Sequence, residues 1–163
     1  MNPNGVNDWL AASLPIKSKV IANPNPVNPE FGAGRICEVA GNLSLAEAIE
    51  KIKKYTGIPD VRVGIATKGS NYSLIKTFAV CAGSGASNLK DIKSPIDLFI
   101  TGELSHHEVL EAIHNQTSVI TLNHSNSERG FLTEFKNVLC GLLKNLPIAT
   151  ILSQSDADPL RTF

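Results

Sequence analysis

The chain has 163 residues, 42% of them apolar, and its fifteen basic residues balance fifteen acidic ones. That length suits one well-buried domain, and that apolar content excludes a wholly disordered chain. With zero formal charge and no Lys/Arg-rich run, nucleic acid is not favoured as a partner, because its binding rests largely on phosphate neutralisation.

Residues 5–14 (GVNDWLAASL) read as a short helix with Trp9, Leu10 and Leu14 on one side. Residues 15–33 carry Pro15, Pro24, Pro26 and Pro29 among several asparagines. Proline fixes φ and biases its predecessor towards extended backbone, so this stretch reads as a linker or arm. Residues 1–33 are thus set apart, as an N-terminal helix and a Pro/Asn-rich arm, from an α/β domain over 34–163.

GRICEV (34–39) predicts a strand. Ser44 and Glu47 have capping-box spacing, and Leu45, Ala48, Ile49 and Ile52 follow at helical intervals until Gly57 and Pro59. VRVGIA (61–66) predicts a strand, 67–73 a polar loop, and LIKTFAVCA (74–82) another strand. A Gly-Ser-Gly turn then opens a helix through residue 92. DLFITG (97–102) reads as a strand, LSHHEVLEAIH (104–114) as a helix and SVITLNH (118–124) as a strand. The longest helix is expected over 127–146, where Phe131, Leu132, Phe135, Val138, Leu139, Leu142, Leu143 and Leu146 share an apolar face that would pack on the sheet. IATILSQ (148–154) reads as the last strand. Alternating strands and helices imply α/β architecture, a largely parallel sheet with helices on its faces.

Three widely spaced cysteines, Cys37, Cys81 and Cys140, read as reduced thiols, with Cys81 and Cys140 in apolar runs that suggest burial. No apolar run is long enough for a membrane span, and the first residues lack a signal-peptide pattern. A cytoplasmic protein is expected, with nuclear or mitochondrial placement left open.

In a parallel sheet the loops leaving the strand C-termini gather along one edge. The first such loop holds Gly83, Ser84 and Gly85, whose free N–H groups suit an anion or cofactor phosphate, or simply make a tight turn. The second, T-G-E-L-S-H-H-E, offers Glu103, His106 and His107 for general acid–base catalysis. Alternatively, Ser105 and Glu108 only cap the helix and the histidines lie on its surface. The third places His124 and Glu128 four residues apart after an apolar strand. Imidazole and carboxylate are ligands for zinc, manganese or iron, which this pair does not distinguish. Alternatively, His124 is a surface residue and Glu128 compensates the helix dipole. Arg129 is free to pair with Glu128 or with a substrate anion. His114 reads as a cation at its helix C-terminus.

The segments G-V-N-D-W-L-A, C-A-G-S-G, T-G-E-L-S-H-H-E, N-H-S-N-S-E-R-G-F-L and D-A-D-P-L together resemble, in order, the NGG-one-interacting-factor-three (NIF-three) family, whose bacterial members are often labelled GTP cyclohydrolase I type 2 homologs. The resemblance implies a dinuclear divalent-metal site on an α/β fold, and homo-oligomers in many members. It carries ligand roles over to His124 and Glu128, with Ser127 where threonine is usual, and places Glu103, Ser105, His106 and His107 beside the metals. It also implies ligands from a paired-histidine motif and from an aspartate upstream of the G-V-N-D-W-L segment, which here begins at Gly5. The chain is therefore expected to be an N-terminally truncated, C-terminal part of a longer protein, with only part of the metal site. The function expected is that of a metal-dependent hydrolase, active only at full length. The alternative is a non-catalytic protein-interaction module linked to transcriptional regulation, using residues 1–33 to contact a protein partner.

Overall fold

A computed structural model describes residues 4–68, 70 and 73–160, so part of the polar loop expected over 67–73 lies outside the described residues. In chain order the elements are α1 (Val6–Ala11), β1 (Ile16–Pro24), β2 (Gly32–Val39), α2 (Leu45–Thr56), β3 (Arg62–Gly64), β4 (Thr77–Ser84), α3 (Ala86–Asp91), β5 (Leu98–Glu103), α4 (His106–His114), β6 (Ser118–Thr121), α5 (Asn126–Arg129) and α6 (Phe131–Leu142). The six strands form one sheet in the order β1-β2-β4-β5-β6-β3.

The architecture is α/β, but the sheet is mixed and mostly antiparallel, which corrects the expected largely parallel sheet. Only β4–β5 and β5–β6 run parallel, joined by crossovers through α3 and α4. The β1–β2, β2–β4 and β3–β6 pairs are antiparallel. Strand–helix alternation reports that a crossover exists, not which edge the next strand joins. The three-residue β3 joins the far edge beside β6, so the segment between β2 and β4 adds no parallel neighbour.

The segment 15–33 is part of this sheet rather than a free arm. Residues 16–24 pair with β2, and the Pro26 and Pro29 segment forms the hairpin connection. Proline lacks an N–H and is tolerated at sheet edges, where Pro24 ends the outermost strand. Lys17 and Lys19 on β1 give that edge charged side chains, a common guard against further strand pairing.

The central strands bury both faces. On one face, Phe78 and Val80 of β4, Leu98 and Ile100 of β5, and Ile120 of β6 meet Trp9 and Leu10 of α1 and Leu45 and Ile52 of α2. On the other, Ala79, Cys81, Phe99 and Val119 meet Ala112 of α4, with Leu89 of α3 and Val109 of α4 at the margin. Each fully buried large side chain is worth about 1.5–3 kcal/mol relative to exposure. Helices α2 and α4 start at capping boxes, Ser44 with Glu47 and Ser105 with Glu108.

Helix α1 is a core element, not an exposed contact surface. Asp8 accepts hydrogen bonds from the buried Arg35 at 2.6 and 3.1 Å, while Arg35 also donates to the carbonyls of Gly34 at 2.7 Å and Gly32 at 3.3 Å. Lys19 of β1 reaches the same carboxylate. Asn7 accepts a hydrogen bond from the Ala82 amide of β4 at 2.8 Å.

The expected long helix is interrupted at Gly130 and ends near Leu142. No residue of α6 is fully buried: Phe131 packs against the core at the start of the helix, and most of the apolar face beyond it stays exposed instead of packing on the sheet. Phe135, Val138 and Leu142 are 45%, 56% and 75% exposed, and Cys140 is exposed with them. Residues 148–154 form no strand, and Ile151 is exposed. Amphipathic spacing announced an apolar face, but what covers that face is non-local information. Among the described residues no helix is long and apolar enough to cross a membrane.

Candidate metal centre at the ends of the parallel strands

Because β4, β5 and β6 are mutually parallel, their C-terminal ends share one edge. Strand β4 reaches that edge through a register shift between Cys81 and Ser84, with Gly83 at φ +70°. Strand β6 leaves it through Asn123 at φ +67°, a left-handed conformation that asparagine tolerates better than most residues. That turn sends His124 back over the sheet, and α5 follows.

Ser127 ties these segments together. Its fully buried hydroxyl donates to the His124 carbonyl at 2.6 Å and accepts from the Gly83 amide at 2.8 Å. Thr101 donates to the Gly83 carbonyl at 3.2 Å. Gly102 permits the close approach, since a Cβ there would lie 2.6 Å from the Gly83 carbonyl oxygen and 2.8 Å from Ser127 Oγ. With its amide committed to Ser127, Gly83 acts as a tight packing point and has no N–H to offer an anion.

The side chains of His124 and Glu128 converge on that glycine. A Cβ on Gly83 would lie 2.9 Å from Glu128 Oε1 and 3.1 Å from His124 Nε2. The other imidazole nitrogen, Nδ1, lies 3.1 Å from Glu103 Oε2. Nε2 is thereby the nitrogen left free, on the same side of Gly83 as Glu128 Oε1. A metal-ligating histidine typically has its second nitrogen bonded to a carboxylate, which fixes ring orientation and tautomer.

The hydrogen bond that His124 donates to Glu103 outweighs partial desolvation, and with the charges of Glu103, Glu128 and Asp158 it lifts the His124 pKa above the ordinary imidazole value. The same negative groups make the locus attractive to a cation. Among the described residues, however, no group of three or more His, Cys, Asp or Glu is arranged to hold a metal ion. The arrangement fits part of a coordination sphere: two ligand-type groups and an orienting carboxylate.

The remaining sequence candidates fall in two places. His106 and His107 are exposed on the first turn of α4, their rings edge-on at 5.7 Å, and their side chains make no hydrogen bond or ion pair among the described residues. Ser84 and Glu103 line an open cleft next to the pair, while Gly85 caps α3. Arg129, left open by sequence, pairs with Asp156, and Ser125 donates to Asp158 at 2.7 Å. The D-A-D-P-L segment thus returns to the site and packs beside α5. Sequence reasoning missed the roles of Asn123, Ser127 and Gly102. The asparagine directly after an apolar strand was the one available signal.

The family model described as Duf34/NIF3 (NGG1p interacting factor 3) matches residues 1–159. A Drosophila melanogaster protein, NIF3-like protein 1, is 44% identical over 164 residues, covering 97% of this chain and 52% of the relative. NGG1-interacting factor 3 of Saccharomyces cerevisiae is 38% identical over 164 residues, covering 96% of this chain and 56% of the relative. The chain thus spans about half the length of these curated relatives. Among solved structures, a Staphylococcus aureus hypothetical protein superposes with a TM-score of 0.83 at 24% identity, over 99% of this chain and 65% of that one. A Bacillus cereus protein related to NIF3 superposes with a TM-score of 0.86 at 15% identity, over 99% of this chain and 70% of that one. At these identities the superpositions show the shared fold alone. The order of motifs, the sheet that gathers them and the family match over nearly the whole sequence agree: this chain belongs to the Duf34/NIF3 (NGG1p interacting factor 3) family.

Proposed function

We propose that His124 and Glu128 supply part of a divalent-metal site, and that the protein works as a metal-dependent hydrolase. The observation that carries this reading is the division of the imidazole: Nδ1 is held by Glu103 while Nε2 and Glu128 Oε1 both lie over Gly83. A bound divalent ion would supply an acidified water and polarise a ring or amide carbon. Glu103 orients the ring, and Gly83 keeps the ligand atoms free of a side chain beneath them. In this reading His106, His107 and Glu103, all near the start of α4, carry protons. A dinuclear centre needs more ligands than the described residues bring together, so the proposed site draws on groups outside them.

Equilibrium dialysis against zinc, manganese or iron(II), followed by metal quantification, tests the reading. The parent protein should retain metal, and His124→Ala and Glu128→Gln should lose it. Unchanged metal content in the His124 variant would remove this residue from the ligand set.

A second reading, a protein-contact role, is favoured by the exposed Phe135, Val138 and Leu142 on α6, and by the name of the yeast relative, which describes an interaction with NGG1. Replacing these three residues with serine should abolish co-precipitation with an NGG1 homolog. Full retention would count against α6 as the contact surface.

A further inference from the structure

An open cleft of about 460 Å3 lies beside the His124–Glu103 pair, lined by Arg62, Ser84, Glu103, Ser105, Thr121 and Asn123 among others. Its volume falls in the range of small-molecule sites, roughly 300–1,000 Å3. Arg62 enters from the edge strand β3, directly opposite Thr121 of β6. It therefore stands two positions across the sheet edge from the turn that launches His124.

The charges in this cleft are unequally committed. Glu103 is engaged by His124. Glu108, also at the wall, accepts from the Ser105 amide at 2.8 Å and pairs with Lys90 at 3.7 Å. The Arg62 side chain has no hydrogen bond or ion pair among the described residues. The cleft thus offers a spare guanidinium fork with hydroxyl and amide groups around it, from Ser84, Thr121 and Asn123. A planar five-donor fork matches the oxygens of phosphate or carboxylate in a two-point contact that a lysine cannot reproduce.

We propose that this cleft binds the anionic end, phosphate or carboxylate, of a small-molecule substrate, with Arg62 as the principal binding residue. The bound molecule then extends along the strand ends towards Glu103 and His124. Calling it a substrate rests on the reading of His124 and Glu128 as the reactive end. Anion binding itself does not need the metal.

The test is titration of the metal-free protein with inorganic phosphate, and separately with acetate, followed by amide and Arg Nε NMR signals. Saturable shifts should centre on Arg62, Ser84, Gly102 and Asn123. Arg62→Gln should weaken the response at least tenfold, and Arg62→Lys should restore it only in part. A response to phosphate alone, acetate alone or both supports the cleft and names the oxyanion. No saturable shift with either anion, shifts centred instead on Lys90 and Lys93, or an undiminished response in Arg62→Gln would overturn it. If that variant fails to fold, the shift pattern of the parent decides. His124→Ala should keep phosphate binding while losing metal, so failure of the metal reading and failure of this one are separable.

Discussion

Glu103 Oε2 and His124 Nδ1 stand 3.1 Å apart although 21 residues separate them in the chain. The contact joins the ends of β5 and β6, and it fixes which imidazole nitrogen is free. Replacing Glu103 with Gln keeps the side-chain shape and removes the charge. Loss of an orienting carboxylate typically lowers metal affinity by about 10–100-fold. Glu103→Gln should therefore weaken metal retention without abolishing it. In the metal-free protein the His124 pKa should fall, since the Glu103 hydrogen bond is the leading cause of its rise. NMR titration of the His124 ring reads this directly, and an unmoved midpoint would reject the contact.

Gly83 is required twice over, by its backbone and by its surroundings. Its φ of +70° disfavours any residue with a Cβ. That Cβ would also press on Glu128 Oε1 and His124 Nε2. Both atoms end flexible side chains, so they would move rather than block folding. The backbone strain is worth about 1–2 kcal/mol, which for a domain of this size shifts the melting temperature by only a few degrees, about 2–4 °C per kcal/mol. Gly83→Ala should thus melt slightly earlier but lose bound metal out of proportion. Normal metal retention in a folded Gly83→Ala protein would show that the two side chains do not meet there.

What sequence made legible was local. The capping boxes at Ser44 and Ser105 need four residues each, and both helices start there. The place of His124 and Glu128 just past a buried strand was also readable, since the burial of that strand followed from its composition. What could not be read depended on distant partners. Strand β1 was masked by its prolines, because pairing with β2 overrides a local preference for irregular backbone. The antiparallel placement of β3 is a choice of sheet edge, which no local pattern encodes. The apolar face of α6 was visible, but not that the described residues leave Phe135, Val138 and Leu142 on it exposed. The Gly-Ser-Gly turn was legible as special backbone. That its first glycine packs beneath two ligand-type side chains required His124 and Glu128 to be in place.

The Asp8–Arg35 pair should govern acid stability. Burial pushes Asp8 up, but hydrogen bonds from Arg35 and Lys19, with their charges, hold its pKa below the ordinary carboxylate value. A carboxylate depressed in the folded state contributes stability that is fully present above its unfolded pKa, about 3.9. That contribution is lost as pH falls through the lower folded value, so the loss should begin below about pH 4. Asp8→Asn should remove this acid dependence. Because Arg35 is only 2% exposed, the variant should also be less stable at neutral pH, by about 3–5 kcal/mol if the guanidinium finds no other partner. Denaturant unfolding at pH 7 and pH 3 measures both effects, and equal loss in parent and variant on acidification would sink the assignment.

The three cysteines should react in two classes. Burial pushes the Cys37 thiol up to about 12 and raises that of Cys81, so neither forms thiolate readily near neutrality. Cys140 lies exposed on α6. A chromogenic disulfide reagent at pH 8 should label Cys140 rapidly, and Cys37 and Cys81 only after unfolding. Slow labelling of Cys140 would mean that α6 is covered in solution, which the assembled protein or a partner would have to explain.

Gly130 offers a test whose sign decides. It lies between α5 and α6 with φ −62° and ψ −25°, an ordinary helical conformation that alanine adopts freely. On propensity alone, Gly130→Ala should stabilise by about 1 kcal/mol. The surroundings argue the opposite. A Cβ there would lie 2.1 Å from Trp9 Cζ2 and 2.6 Å from Trp9 Cη2. Trp9 is buried, and its ring lies 5.4 Å from that of Tyr55 on α2, so it has little room to withdraw. Overpacking of this kind destabilises by about 1–3 kcal/mol. Gly130→Ala should therefore lower stability, and a second change, Trp9→Phe, should recover part of the loss by shortening the ring. A stabilised single variant would show that α5 and α6 are not held against α1 by this contact.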